Sequence, residues 1–229
     1  MRTFLLIAVL ILSLHAQAQT PPFDFTVNKR RPPYVSFRGD TSEPNVNGSY
    51  DRMLEDDRLL DSAYGLGKNY EFEFRLWERH FHSNDNTVFI LTLKNNQWTA
   101  RYFAHDIRRP NGIAYSEQPV DQSKVYQLWE LLVQNDVLTL PDKGVLQDRL
   151  VLYRVDTTNL QKSGGIITKR MDGGPVYGFE LRAPTKKRFY SYADPYTDLK
   201  QFGNIKELYH ATVIILLIQK FLGKPLRVS

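Results

Sequence analysis

The spacing of apolar residues changes several times along this 229-residue chain, and each change marks an element. SYDRMLEDDRLLDSAYG (49–65) predicts a helix, with Ser49 as cap, Met53, Leu59 and Leu60 as apolar positions, and Gly65 or Gly67 as stop. Three runs rich in aromatic and β-branched residues follow: YEFEFRLWERHFH, TVFILTL and QWTARYFAH. SNDN and KNNQ separate them, which predicts an antiparallel meander. SKVYQLWELLVQNDVL then takes up the helical period. Val125, Leu128, Trp129 and Leu132 form its apolar stripe, with Ser123 as cap and Asn135 as stop. RLVLYRVDT predicts another strand, and the stretch from Gly165 to Pro195 predicts β-hairpins turning at DGGP and APTK. The last element, NIKELYHATVIILLIQKFLGK, is a helix bounded by Asn204 and Gly223. Its unbroken apolar run Val213–Ile218 predicts burial on most sides.

This order predicts an α+β fold: a mainly antiparallel sheet (meander plus C-terminal hairpins) packed against two or three helices. Trp98, Trp129 and Val213–Ile218 are its expected core. Residues 49–229 are read as one domain, a division near residue 145 being the alternative.

The first 48 residues have a different character. A positive start (Met1-Arg2-Thr3), the apolar run FLLIAVLILSL (4–14) and the A-x-A pattern Ala16-Gln17-Ala18 follow one another. That is the three-part pattern of a signal peptide spanning residues 1–18, so the expectation is cleavage after Ala18 and a secreted or periplasmic protein. The run falls short of the roughly 20 residues that cross a bilayer, so no membrane span is expected after cleavage. Residues 19–48, rich in proline and asparagine, read as an extended N-terminal arm. The chain has no cysteine, which leans towards a bacterial periplasm or exterior. It also excludes thiol catalysis, iron–sulfur clusters and cysteine-ligated zinc.

Thirty basic against 25 acidic residues give a net charge of +5, which is mild for this length. The basic runs Lys29-Arg30-Arg31, Lys169-Arg170 and Lys186-Lys187-Arg188 read as solvated turns rather than the dense patch that displaces counterions from nucleic acid. Glu55-Asp56-Asp57 spread around a helix and read as a solvated face. Glu71, Glu73 and Arg75 share one strand face and read as surface ion pairing. There is no G-x-S-x-G elbow, phosphate loop, G-x-G-x-x-G or H-E-x-x-H.

One stretch carries candidate chemistry: ERHFH (78–82), where Glu78, His80 and His82 alternate and share a strand face. An open zinc site takes three protein ligands, and His105 is the natural third. Pairing Leu93 with Trp98, Leu91 with Ala100 and Phe89 with Tyr102 makes one apolar face and puts His105 on the other. Tyr70, Phe72, Phe74 and Leu76 have one parity, but Trp77 and Phe81 have the opposite one. A bulge near Leu76-Trp77 is therefore expected, which would bring His80, His82 and His105 to one face. Even then a strand lies between them, roughly 9–10 Å of separation, so no metal or other cofactor is expected.

The functional expectation is a non-catalytic binding or interaction protein for a protein, a polymer or a small ligand. Tyr190, Tyr192 and Tyr196 of RFYSYADPY, beside Lys186-Lys187-Arg188, are its candidate contact surface. The competing reading of these tyrosines is two faces of a sheet. The alternative function is an exported hydrolase, either metal-dependent through His80, His82 and His105 or using a carboxylate pair.

Overall fold

Extended segments that alternate large apolar groups satisfy their backbone by pairing, and here they form a six-stranded antiparallel sheet. The structure, a computed structural model, describes residues 49–66, 69–80, 86–105, 115–150, 153–156, 161–164 and 174–224. Helix α1 (Ser49–Tyr64) precedes strands β1 (Phe72–Arg79), β2 (Thr87–Lys94), β3 (Gln97–His105) and β4 (Tyr115–Gln118). Helix α2 (Val125–Gln134) leads to β5 (Tyr153–Asp156) and β6 (Gln161–Gly164). The hairpin β7 (Val176–Ala183) and β8 (Lys186–Ala193) is followed by α3 (Pro195–Gln201) and α4 (Lys206–Phe221). The sheet order is β4-β3-β2-β1-β7-β8, with β5 and β6 as a separate pair. The N-terminal meander and the C-terminal hairpin thus meet at β1 and β7, and the class is α+β as the pattern predicts.

Local chemistry sets the boundaries. Lys94 pairs with Gln97, which leaves Asn95-Asn96 as a two-residue turn. Both asparagines have positive φ, 50° and 60°, the conformation that matches the twist of a tight hairpin. The turn fixes Leu93 opposite Trp98, Leu91 opposite Ala100 and Phe89 opposite Tyr102, the register that alternation requires. Gly65, with φ 63°, stops α1, and Gly223, with φ 65°, follows α4. Asp121, not Ser123, caps the turn leading into α2: its carboxylate accepts from Ser123 N at 2.9 Å. Ile205 rather than Asn204 precedes α4. β4, β6, α3 and the 3-10 turn Lys143–Arg149 have too little periodicity to be read from the pattern.

Helices cover both faces of the sheet. On the first face, Trp129 of α2 stacks on Trp98 with centroids 4.6 Å apart and meets Phe72 at 5.0 Å. Phe221 of α4 sits edge-on to Phe89 at 5.8 Å. The stripe Val125, Leu128, Trp129 and Leu132 is buried, as is Val213–Ile218 apart from the partly exposed Leu216, while Trp98 is only half-buried. On the second face, Leu60 of α1 and Leu66 pack with Trp77, Val88, Ile90 and Phe103.

The second apolar layer corrects the expected bulge. Pairing of β1 with β2 runs without interruption from Phe72 opposite Leu93 to Glu78 opposite Thr87. A bulge is required only if one face of β1 is wet. Because α1 roofs the other face, Trp77 can point there from a regular strand. Of the apolar positions expected in α1, Leu60 is fully buried and Leu59 is 47% exposed, and the Met53 side chain lies outside the described residues. Among the described residues no helix is long and apolar enough to cross a membrane.

Candidate functional site

At the end of β1, strand alternation carries Glu78 onto the first face together with Leu76. Its Oε1 lies 3.2 Å from His80 Nε2 and accepts from Tyr177 OH at 3.4 Å. Its Oε2 accepts from Thr87 Oγ1 at 3.3 Å. Glu78, Thr87 and Tyr177 line a small cleft beside α4, shared with Tyr102, Ile215, Gln219 and Lys224. Its volume is about 10 Å³, close to the space that one water needs. The Lys224 ammonium lies 4.4 Å from the centre of the Tyr102 ring, a cation–π contact.

His80 and His105 do not converge. His105 shares a face with Phe103 and Trp77, where it meets the ring of Tyr115 edge-on at 5.4 Å. His80 sits with Glu78, so the regular strand leaves His80 and His105 on opposite sides of the sheet, correcting the expectation of a shared face. His82 lies outside the described residues. Among the described residues no three histidine, aspartate or glutamate side chains are placed to hold a metal. His210 of α4 pairs through Nδ1 with Asp136 at 2.9 Å.

The expected tyrosine surface is also corrected. Tyr190 and Tyr192 are core residues, 1% and 0% exposed. Tyr190 stacks on Phe179 with centroids 4.8 Å apart. Their hydroxyls donate to the carbonyls of Val137 at 2.6 Å and Pro141 at 2.7 Å, so the polar end of each ring is satisfied inside the protein. Burial pushes both phenols above the usual tyrosine range. Only Tyr196 is partly exposed; its hydroxyl donates to Gln219 Oε1 at 3.3 Å, beside the Glu78 cleft.

The densest constellation lies beneath α1. Glu73-Phe74-Arg75 on β1 and Glu180-Leu181-Arg182 on β7 repeat one pattern, and antiparallel pairing sets Glu73 opposite Arg182 and Arg75 opposite Glu180. Within each strand the arginine Nε donates to the glutamate two residues earlier, at 2.7 Å in both cases. From above, Asp57 of α1 takes one guanidinium on each carboxylate oxygen, Arg75 on Oδ1 and Arg182 on Oδ2. Asp61, one turn further along, does the same at 2.6 Å and 3.3 Å. Trp77 Nε1 and Thr92 Oγ1 donate to the glutamates from the sides. Arg75 and Arg182 are 0% and 1% exposed. Beside the cluster, Asp56 pairs with Arg79 and accepts from Tyr115 OH. These placements correct two expectations. Asp56 and Asp57 are not a solvated helix face, and Glu73 with Arg75 is not a surface pair. The E-x-R repeat and the i, i+4 aspartates are the signals that could have revealed the cluster.

No protein-family model and no curated protein matches the chain.

Electrostatics follow from the count. Four carboxylates face two guanidiniums, so full ionisation leaves a net charge of −2 under the helix. Burial raises the Asp57 carboxyl, and the nearby Glu180 charge raises it further. Arg75 and Arg182 pull it back, and it comes to about 6. Burial lowers the pKa of both arginines, but the carboxylates, Glu73 for Arg75 and Glu180 for Arg182, more than restore it. Each acid here already accepts a charge-assisted bond, and α1 stands over the set. The arrangement clamps helix to sheet; it does not present a carboxylate pair to a substrate.

Proposed function

We propose that the protein is an exported, non-catalytic binding or interaction domain. The observation that carries this reading is that, among the described residues, the carboxylates of the cluster under α1 and of the cleft are already engaged. Those under α1 are held by Arg75 and Arg182, and Glu78 has Thr87, Tyr177 and His80 around it. A glycosidase-type pair needs two carboxyls facing a shared gap roughly 5–10 Å wide, with room for a sugar ring. A cleft of about 10 Å³ has no such room. Export is supported by the order of segments in Met1–Ala18, and the mild, scattered positive charge argues for a partner other than nucleic acid. One observation favours the runner-up, an exported hydrolase: Glu78, which lines a cleft, has the His80 imidazole 3.2 Å away as an acid–base partner.

Two measurements test the reading. Intact mass of the exported protein should correspond to a start at Gln19; a chain still carrying FLLIAVLILSL rules out cleavage. Purified protein should turn over none of a panel of ester, phosphate, glycoside and peptide substrates, with or without added Zn²⁺, Mg²⁺ or Ca²⁺. It should co-sediment saturably with cell-envelope polymer or partner. Turnover that is lost in Glu78→Gln would place the protein among the hydrolases.

A further inference from the structure

We propose that α1 is a proton-linked latch: docking of this helix onto the sheet takes up a proton into the buried acid–arginine cluster, so the helix is held more tightly in mildly acidic than in neutral surroundings. The basis is the imbalance of charge in a closed space. Asp57 and Asp61 of α1 meet Glu73 and Arg75 of β1 and Glu180 and Arg182 of β7, and the acids outnumber the arginines by two. Among the described residues, no further cation from these elements makes good the difference. Arg79 is bound to Asp56, Arg58 is exposed, and Lys187, opposite Arg182 in register on β8, is exposed as well. β2 offers Thr92, which donates a neutral bond to Glu73. Asp57 carries both guanidiniums and is 5% exposed, so an ionised Asp57 completes a buried excess of negative charge, and a protonated one relieves it.

The sign of the linkage is fixed by which state holds the proton. With α1 docked, the Asp57 carboxyl is raised from 3.8 to about 6. With α1 free it returns to the ordinary carboxylate range. The docked state therefore binds more protons between these values, and docking weakens as pH rises through about 6. An ordinary salt bridge has the opposite sign, because it needs the ionised carboxylate and weakens on acidification.

Amide hydrogen exchange of α1, corrected for intrinsic rates, tests the latch at pH 5 and 7.5. The expected result is about tenfold greater protection at pH 5, the factor that the Asp57 shift gives over this interval. In Asp57→Asn, the neutral isostere, the gain disappears. A wild-type α1 better protected at pH 7.5, or an Asp57→Asn protein with the same pH dependence as wild type, overturns the proposal. Carbon-13 titration of the Asp57 carboxyl in the wild type keeps the question decidable if the variant fails to fold. A midpoint near 6 is expected, and one below 4 refutes it.

Discussion

Arg182→Met removes one of the two guanidiniums that balance the buried acids while keeping a side chain of similar length. Arg182 bonds to Glu180 at 2.7 Å, to Asp61 at 3.3 Å and to Asp57, and 1% of it reaches solvent. Its loss leaves Glu180 and Asp57, 7% and 5% exposed, with one arginine among four carboxylates. Breaking a buried pair from one side costs about 3–5 kcal/mol, because the orphaned charge stays desolvated. Against a total stability of about 5–15 kcal/mol that is a large fraction. In urea unfolding at pH 7.5, with a slope of about 1–3 kcal/mol/M, the midpoint should fall by about 2 M. At pH 5 part of the loss should return. The Asp57 carboxyl already lies above its ordinary range, and loss of a guanidinium removes one of the charges that hold it down, so a raised acid contributes stability as pH falls. The double variant Glu180→Gln/Arg182→Met should lose less than Arg182→Met alone, since it removes one of the orphaned charges. A loss under about 1 kcal/mol, typical of an exposed pair, would refute the burial argument. A deficit that grew at pH 5 would refute the charge count.

Trp129→Ala should lower stability by about 3–5 kcal/mol, since it empties the contact with Trp98 and Phe72; an unchanged denaturation midpoint would mean that α2 does not pack on the sheet. Asn96→Ala, which forces a side chain without a local hydrogen-bonding group into φ 60°, should cost about 1 kcal/mol, and Asn96→Gly should not; equal midpoints for the two would show that the turn relaxes. With His80 and His105 on opposite faces, the melting temperature should be the same with and without EDTA. One bound zinc per chain, lost on His80→Ala, would refute that geometry.

The sequence makes some of this arrangement legible and hides the rest for definite reasons. The α2 stripe can be read because Val125, Leu128, Trp129 and Leu132 meet a single core, so their period survives unmixed. The β2–β3 register can be read because the turn and the alternation agree. Glu73 and Arg75 do not read as interior from their own strand, because a charged parity on a strand ordinarily faces water; only the matching E-x-R of β7 and the i, i+4 aspartates of α1 point inward. What buries them comes from Asp57 and Asp61 in α1 and from Glu180 and Arg182 in β7, far apart along the chain. Tyr190 and Tyr192 are hidden in the same way. Their hydroxyls are satisfied by the carbonyls of Val137 and Pro141, acceptors that no local pattern around RFYSYADPY announces.

The matched E-x-R triplets also act on how the chain finds its pairing. β1 and β7 are joined across roughly a hundred residues, the slowest kind of contact to form and the easiest to form out of step. A slip by one residue turns each charged row towards the opposite apolar layer. A slip by two in one direction sets Glu73 against Glu180, and in the other sets Arg75 against Arg182, like charge against like in either case. Only the native alignment crosses acid with base on both rungs. The quartet therefore does more than hold α1 to the sheet: it makes the neighbouring registers of β1 and β7 unfavourable.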